Sequence, residues 1–148
     1  MSDLSRFLEI DDETYERALG EILNGKKESH WMWYIFPQIF GLGESYASVF
    51  YSIKDLNEAK EYINNEFLRN RLIKIAQAVY DVDGKTALEI FGSIDYLKLK
   101  SSMTLFELAD LDNDIYGKVL DKYYDGERDE KTLFLCKKRW LNGIYWIS

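Results

Sequence analysis

Thr86-Ala87-Leu88-Glu89-Ile90-Phe91-Gly92-Ser93-Ile94-Asp95-Tyr96-Leu97-Lys98 is the stretch that decides the fold class. Thr86 with Glu89 three residues later has the form of a capping box, in which each side chain satisfies the other's backbone amide at a helix start. Ser93 offers a second start, for a helix carrying Leu97, Ser101, Leu105 and Leu108 on one face. The same punctuation recurs outward in both directions. Asp11 or Asp12 caps a segment with Tyr15, Ala18, Leu19, Ile22 and Leu23 inward, stopped at Gly25. Asp55-Leu56-Asn57-Glu58 opens one with Leu56, Ala59, Tyr62 and Ile63 on a face, and Phe67, Leu68, Ile75, Ala76 and Val79 suit the next. Asp112 or Asn113 precedes Ile115, Val119, Leu120 and Tyr123, and Asp129 precedes Leu133, Cys136 and Trp140. These segments predict an all-α or mainly α domain, a compact bundle of six to seven short helices spanning residues 1–148 as one globular unit.

Composition agrees with a packed domain. The 148 residues are 47% hydrophobic and 30% charged, so a core can form without disulfide or structural metal. With 26 acidic against 19 basic residues the net charge is −7. That argues against nucleic acid and membrane surfaces as partners, since both recognise a positive footprint. Cys136 and His30 are each single, which excludes a disulfide within the chain and the His-rich zinc sites. Asp110, Asp112 and Asp114 have the first ligand spacings of a calcium loop, but Ile115 stands where its turn glycine belongs. No metal and no cofactor is therefore expected. Met1 to Arg6 carry no apolar signal region and no apolar run nears membrane-span length, so cytoplasm is the expected address. Nothing in the pattern specifies an oligomeric state.

One segment resists the helical reading. His30-Trp31-Met32-Trp33-Tyr34-Ile35-Phe36-Pro37-Gln38 is too uniformly apolar for periodicity to separate a buried strand from a two-turn core helix. Pro37 drives Phe36 out of the helical region and ends whatever forms. His30 is the candidate catalytic residue, a general acid or base, because imidazole changes charge near neutral pH. Its structural alternative is a hydrogen-bonded histidine at the rim of an aromatic core. Trp31 or Trp33 can stack on a base or sugar. Gln38, aimed by the rigid turn, reads equally as a ligand contact or as an amide that satisfies its own loop.

Lys98-Leu99-Lys100-Ser101-Ser102-Met103-Thr104 is the second candidate site. Lys98 lies one helical turn from Ser101 and Ser102 and can meet a phosphate as a point charge. The Ser-x-x-Lys order is reversed and no nucleophile elbow accompanies it, so Ser101, Ser102 and Thr104 read as hydrogen-bonding groups rather than nucleophiles. Ser101 shares the Leu97, Leu105 and Leu108 face and should point inward, toward the Leu97 carbonyl or a group from the His30–Gln38 segment. Ser102 falls on the side of Lys98. Elsewhere, Gly41-Leu42-Gly43-Glu44-Ser45 lacks the third glycine of a dinucleotide loop and reads as a turn before a short helix. Lys137-Lys138-Arg139 complements the last helix's dipole, with Trp140, Tyr145 and Trp146 closing the tail onto the body.

Both motifs carry a family likeness. Together with Arg6-Phe7, Tyr15-Glu16-Arg17-Ala18-Leu19, Gly25-Lys26-Lys27, Gly41-Leu42-Gly43, Ile90-Phe91-Gly92 and Thr132-Leu133, they make the chain resemble the bacterial domain-of-unknown-function family 1810. Some of its members carry the label calpastatin, which a globular composition does not suit. The resemblance implies a compact α-helical domain and no established activity. The chain departs from the family's habit at Asp11, Asn65-Glu66 and Arg69. A fainter similarity, over Phe67 to Phe91, is to the YbiA-like proteins, which act on ADP-ribose derivatives.

Two functional readings follow. In the first, the His30–Gln38 and Lys98–Thr104 motifs converge on one pocket that binds or processes a nucleotide-like small molecule; the fainter resemblance points to an ADP-ribose derivative. The alternative is a non-enzymatic protein-interaction module whose aromatic motifs are structural core. The residues leave open whether the protein is an enzyme.

Overall fold

Helix α7 (Ala87–Ala109) is the longest element and packs against α5 (Leu56–Asn64), α8 (Ile115–Tyr123) and α9 (Glu130–Lys137). The computed structural model describes residues 2–141 and 144–147, and the side chains of residues 2–137. Helix α6 (Glu66–Asp81) closes the bundle, touching α2 (Asp12–Leu23), α5 and α8. Three single turns complete the helical part: α1 (Ser5–Leu8), α3 (Met32–Ile35) and α4 (Tyr46–Phe50). Strands β1 (Lys138–Leu141) and β2 (Ile144–Ile147) form a terminal antiparallel hairpin. The protein is mainly α, and none of the described helices is long and apolar enough to cross a membrane.

The caps fall largely where the side-chain pattern places them. Asp11 accepts the Thr14 amide at 2.8 Å, Asp55 that of Glu58 at 2.9 Å, and Asp129 that of Thr132 at 3.0 Å. Each such bond is worth about 1 kcal/mol to its helix. Thr86 and Glu89 form the full reciprocal box, at 3.1 and 2.9 Å. The box at Asp55 is only half made. Glu58 turns instead to the Lys54 amide at 2.9 Å and the Arg6 guanidinium at 2.7 Å, a partly buried pair that ties α1 to α5.

Where helix α7 changes direction, the break falls at Gly92 (φ 87°, ψ 170°) rather than at Ser93. Only glycine takes that conformation without a steric penalty, so the residue that bends the helix is the one lacking a side chain. Ile90, Phe91, Leu99, Met103, Leu105 and Phe106 are buried along the two pieces. Phe91 meets Trp31 at 6.4 Å and Phe36 at 6.1 Å between ring centroids, and Trp31 meets Phe36 at 6.2 Å. This ring triangle fastens the otherwise irregular arm before α5 to α7.

Several expectations are corrected. The segment around Trp33 is neither a strand nor a two-turn helix: α3 is one turn, ended at Phe36 by Pro37, after which Ile39 makes a single parallel bridge to Ile53. The described residues hold nine helical segments rather than six or seven, because α1, α3 and α4 run only 4, 4 and 5 residues, too few to show a 3.6 period. Leu23 and Leu97, assigned to inward faces, are 68% and 51% exposed. Leu23 ends its helix beyond the core, and Leu97 opens onto a cleft. The last helix stops at Lys137, so Trp140 belongs to β1, opposite Tyr145. The packing proposed for the Trp140, Tyr145 and Trp146 side chains lies outside the described residues.

Cys136 packs against the core beside Leu135. Burial, and next the Asp55 carboxylate, push its thiol up to about 11, so reactive thiolate is scarce at neutral pH. A thiol reagent is expected to modify Cys136 roughly tenfold or more slowly in the native protein than in denaturant. Equal rates would show that α9 is not docked.

Candidate functional site

Glu21 on α2 sets the approach to the site. Its Oε1 accepts the amides of Glu28 at 2.6 Å and Ser29 at 2.9 Å and the Trp31 indole N–H at 2.9 Å, while Oε2 accepts the Ser29 hydroxyl at 2.6 Å. Burial works to raise this carboxyl, but the Ser29 hydroxyl, the two amides and the indole outweigh it and bring it down to about 2. Gly25, at φ 75°, allows the chain to double back out of α2 into this grip. The Lys27 amide, donating to the Ile90 carbonyl at 2.8 Å, pins the same loop to α7.

Beyond the loop lies a cleft of about 220 Å³. Trp33, Gln38 and Tyr51 line it together with Leu97, Lys98 and Ser101 of α7 and with Asp129 and Lys131 at the start of α9. The Lys98 ammonium stands 4.4 Å over the Trp33 ring and 3.2 Å from Asp95 Oδ1. Asp95 Oδ2 in turn holds Lys27 at 2.9 Å. The Ser101 hydroxyl donates to the Leu97 carbonyl at 3.2 Å, which leaves its oxygen able to accept. The Gln38 side-chain amide and the Lys131 ammonium bond to no described residue. The lining therefore combines a cation on an aromatic face, an unpartnered amide and a second, uncommitted cation.

Of the residues singled out in the sequence, Trp33, Gln38, Lys98 and Ser101 come together here. Trp31 does not. It is 1% exposed, with its indole N–H given to Glu21 and its ring to Phe36 and Phe91, so it has no face for a ligand. His30 is exposed and outside the cleft lining. Ser102 is fully buried outside the cleft lining, and its hydroxyl has no partner among the described residues. Thr104 is also buried; its hydroxyl donates to the Lys100 carbonyl at 2.8 Å and accepts the Asp129 amide at 2.9 Å, joining α7 to the start of α9. Tyr51, Lys131 and the Asp95–Lys27 pair were not singled out as candidates. Tyr51 follows a five-residue helix without a periodic signal, and Lys131 and Asp95 look like ordinary surface charges until the fold brings them near Lys98.

Residues 1–136 match the family described as protein of unknown function, DUF1810. The chain belongs to that family. The DUF1810 match ends inside α9, so every residue that lines the cleft lies within it. A crystal structure of the conserved hypothetical protein Rv1873 from Mycobacterium tuberculosis is 42% identical in sequence, with a TM-score of 0.86, over 88% of this chain and 94% of that one. No curated protein matches the sequence.

Two predictions rest on this geometry. The Glu21 carboxyl is lowered from 4.5 to about 2 by folding, so the stability it contributes is present above its unfolded value and is lost as pH falls toward 2. The Trp31 indole N–H signal is expected to shift over that acid range, and Glu21→Gln should abolish the acid shift; an acid shift unchanged in Glu21→Gln would contradict the assignment. For Ser102, an orphaned buried hydroxyl carries a desolvation cost. Ser102→Ala is expected to raise the unfolding free energy in urea by about 1 kcal/mol, whereas a loss would show that the hydroxyl has a partner.

Proposed function

We propose that the cleft binds a nucleotide-like small molecule by one sugar–phosphate unit. The observation that carries this reading is the meeting of Trp33 and Gln38 with Lys98 and Ser101 in one cleft, from segments about sixty residues apart. Lys98 and Lys131 suit a phosphate, since lysine meets it as a point charge. Gln38 and the Ser101 oxygen suit the donors and acceptors of a sugar. One face of Trp33 is covered by Lys98 and the Tyr51 ring packs against Phe7, Tyr34 and Phe50, so stacking falls to the rest of the indole. The volume of about 220 Å³ is below the roughly 300–1,000 Å³ of sites that enclose drug-sized ligands. An ADP-ribose derivative would seat one ribose–phosphate half and leave the other outside.

The geometry supports binding and does not place Ser101 as a nucleophile. Covalent catalysis needs a nucleophile held against a base, and the Ser101 hydroxyl is committed to a backbone carbonyl. A second reading, a protein-interaction module, is favoured by one observation. Phe40, Tyr46, Val49 and Phe50, on and before α4, are 53%, 81%, 44% and 45% exposed, and apolar side chains grouped on a surface mark contact sites.

Thermal unfolding with ribose 5-phosphate, AMP and ADP-ribose separates the two. A ligand at about 100 times its dissociation constant should add about 2.7 kcal/mol of stability, and Lys98→Ala should remove the shift while the variant still folds. No shift with any of the three would favour the interaction module.

A further inference from the structure

Resting on that reading of the cleft, we infer that Asp95 is a built-in competitor for the ligand's phosphate. It holds Lys98 until a phosphate claims that ammonium, and then passes to Lys27 alone. Asp95 is one carboxylate between two ammoniums, Lys27 at 2.9 Å and Lys98 at 3.2 Å. The two are not equivalent. The Lys27 side chain is 8% exposed and also donates to the Ser29 carbonyl at 2.5 Å, with its ammonium 5.0 Å over the Trp31 ring. A cation so far from water depends on its counter-ion, because a buried charge left unpaired is costly. The Lys98 side chain is 25% exposed, lies at the longer distance and lines the cleft, which neither Asp95 nor Lys27 does. Lys27–Asp95 is thus the fixed pair and Lys98–Asp95 the exchangeable one.

The triad carries a surplus positive charge in a chain of net charge −7. When an anion takes Lys98, no carboxylate is stranded, since Asp95 keeps Lys27. A neutral ligand gains nothing from this exchange. A phosphate monoester gains the attraction of Lys98 less what Asp95 gives up, so the triad selects phosphorylated over unphosphorylated forms of one sugar. Asp95 and Lys27 are positioning residues, acting through Lys98.

Opposite signs at two residues outside the cleft make the test. Titration calorimetry would compare ribose 5-phosphate with ribose for the wild type, Asp95→Asn, Lys27→Met and Lys98→Ala. Asp95→Asn should bind ribose 5-phosphate about threefold tighter or more, by removing the competitor from a partly exposed pair. Lys27→Met should bind it weaker by a similar factor, because Asp95 then belongs to Lys98 alone. Ribose should be indifferent to both. A merely structural role would weaken binding in both variants. Weaker or unchanged binding in Asp95→Asn, or unchanged or tighter binding in Lys27→Met, overturns the exchange. No binding by the wild type, or binding indifferent to Lys98→Ala, overturns instead the reading of the cleft on which it rests. A readout on the wild type covers a variant that fails to fold. Ribose 5-phosphate should shift the side-chain 15N resonances of both Lys98 and Lys27, and a shift at Lys98 with Lys27 unmoved contradicts the exchange.

Discussion

Three aromatic rings hold the candidate site together. Trp31, Phe36 and Phe91 meet with centroids 6.1 to 6.4 Å apart, two of the contacts edge-on, an arrangement that adds about 0.5–1.5 kcal/mol per pair beyond burial. Trp31 and Phe36 belong to an arm with two single helical turns and one isolated bridge, too little backbone structure to fix its own position. Phe91 sits on α7 immediately before its break at Gly92. The arm is therefore anchored where α7 is redirected. Trp33 and Gln38, on either side of Phe36, are carried to the face of α7 that presents Lys98 and Ser101.

Electrostatics then refine what packing has brought together. Glu21 gathers two amides, a hydroxyl and an indole N–H, and so fixes the entry to the arm. Asp95 joins the loop carrying Lys27 to Lys98, which lies over Trp33. In both places a carboxylate is matched by several donors or cations. The acidic excess of the whole chain does not extend to the cleft lining, which carries Lys98 and Lys131 with one carboxylate, Asp129, while Lys98 is paired with Asp95 outside that lining.

Much of the helical frame was legible from single residues. Asp11, Asp55, Thr86 and Asp129 accept backbone amides at helix starts because a short oxygen-bearing side chain there has one obvious partner. The inward turn of Ser101 follows from helical spacing, which leaves its partner open between the Leu97 carbonyl and the His30–Gln38 segment; the structure gives the Leu97 carbonyl. Which side of the aromatic arm meets α7 was not legible. Trp31 and Trp33 look alike in sequence, and the choice between them depends on Glu21 and Phe91, ten and sixty residues away. Leu97 shares the spacing of a core stripe, yet the approach of the arm beside it leaves a cleft rather than a seal. His30 is the single histidine, and rarity says nothing about which way a side chain faces.

The central claim is that the two motifs share one ligand. The direct measurement is a titration of the 15N-labelled protein with ribose 5-phosphate, following the Trp33 indole N–H, the Gln38 side-chain amide and the Ser101 backbone amide. All three should move with one dissociation constant, and Lys98→Ala should abolish the movement at all three. Perturbation confined to one motif, or centred on Phe40 and α4 instead, would contradict a shared cleft.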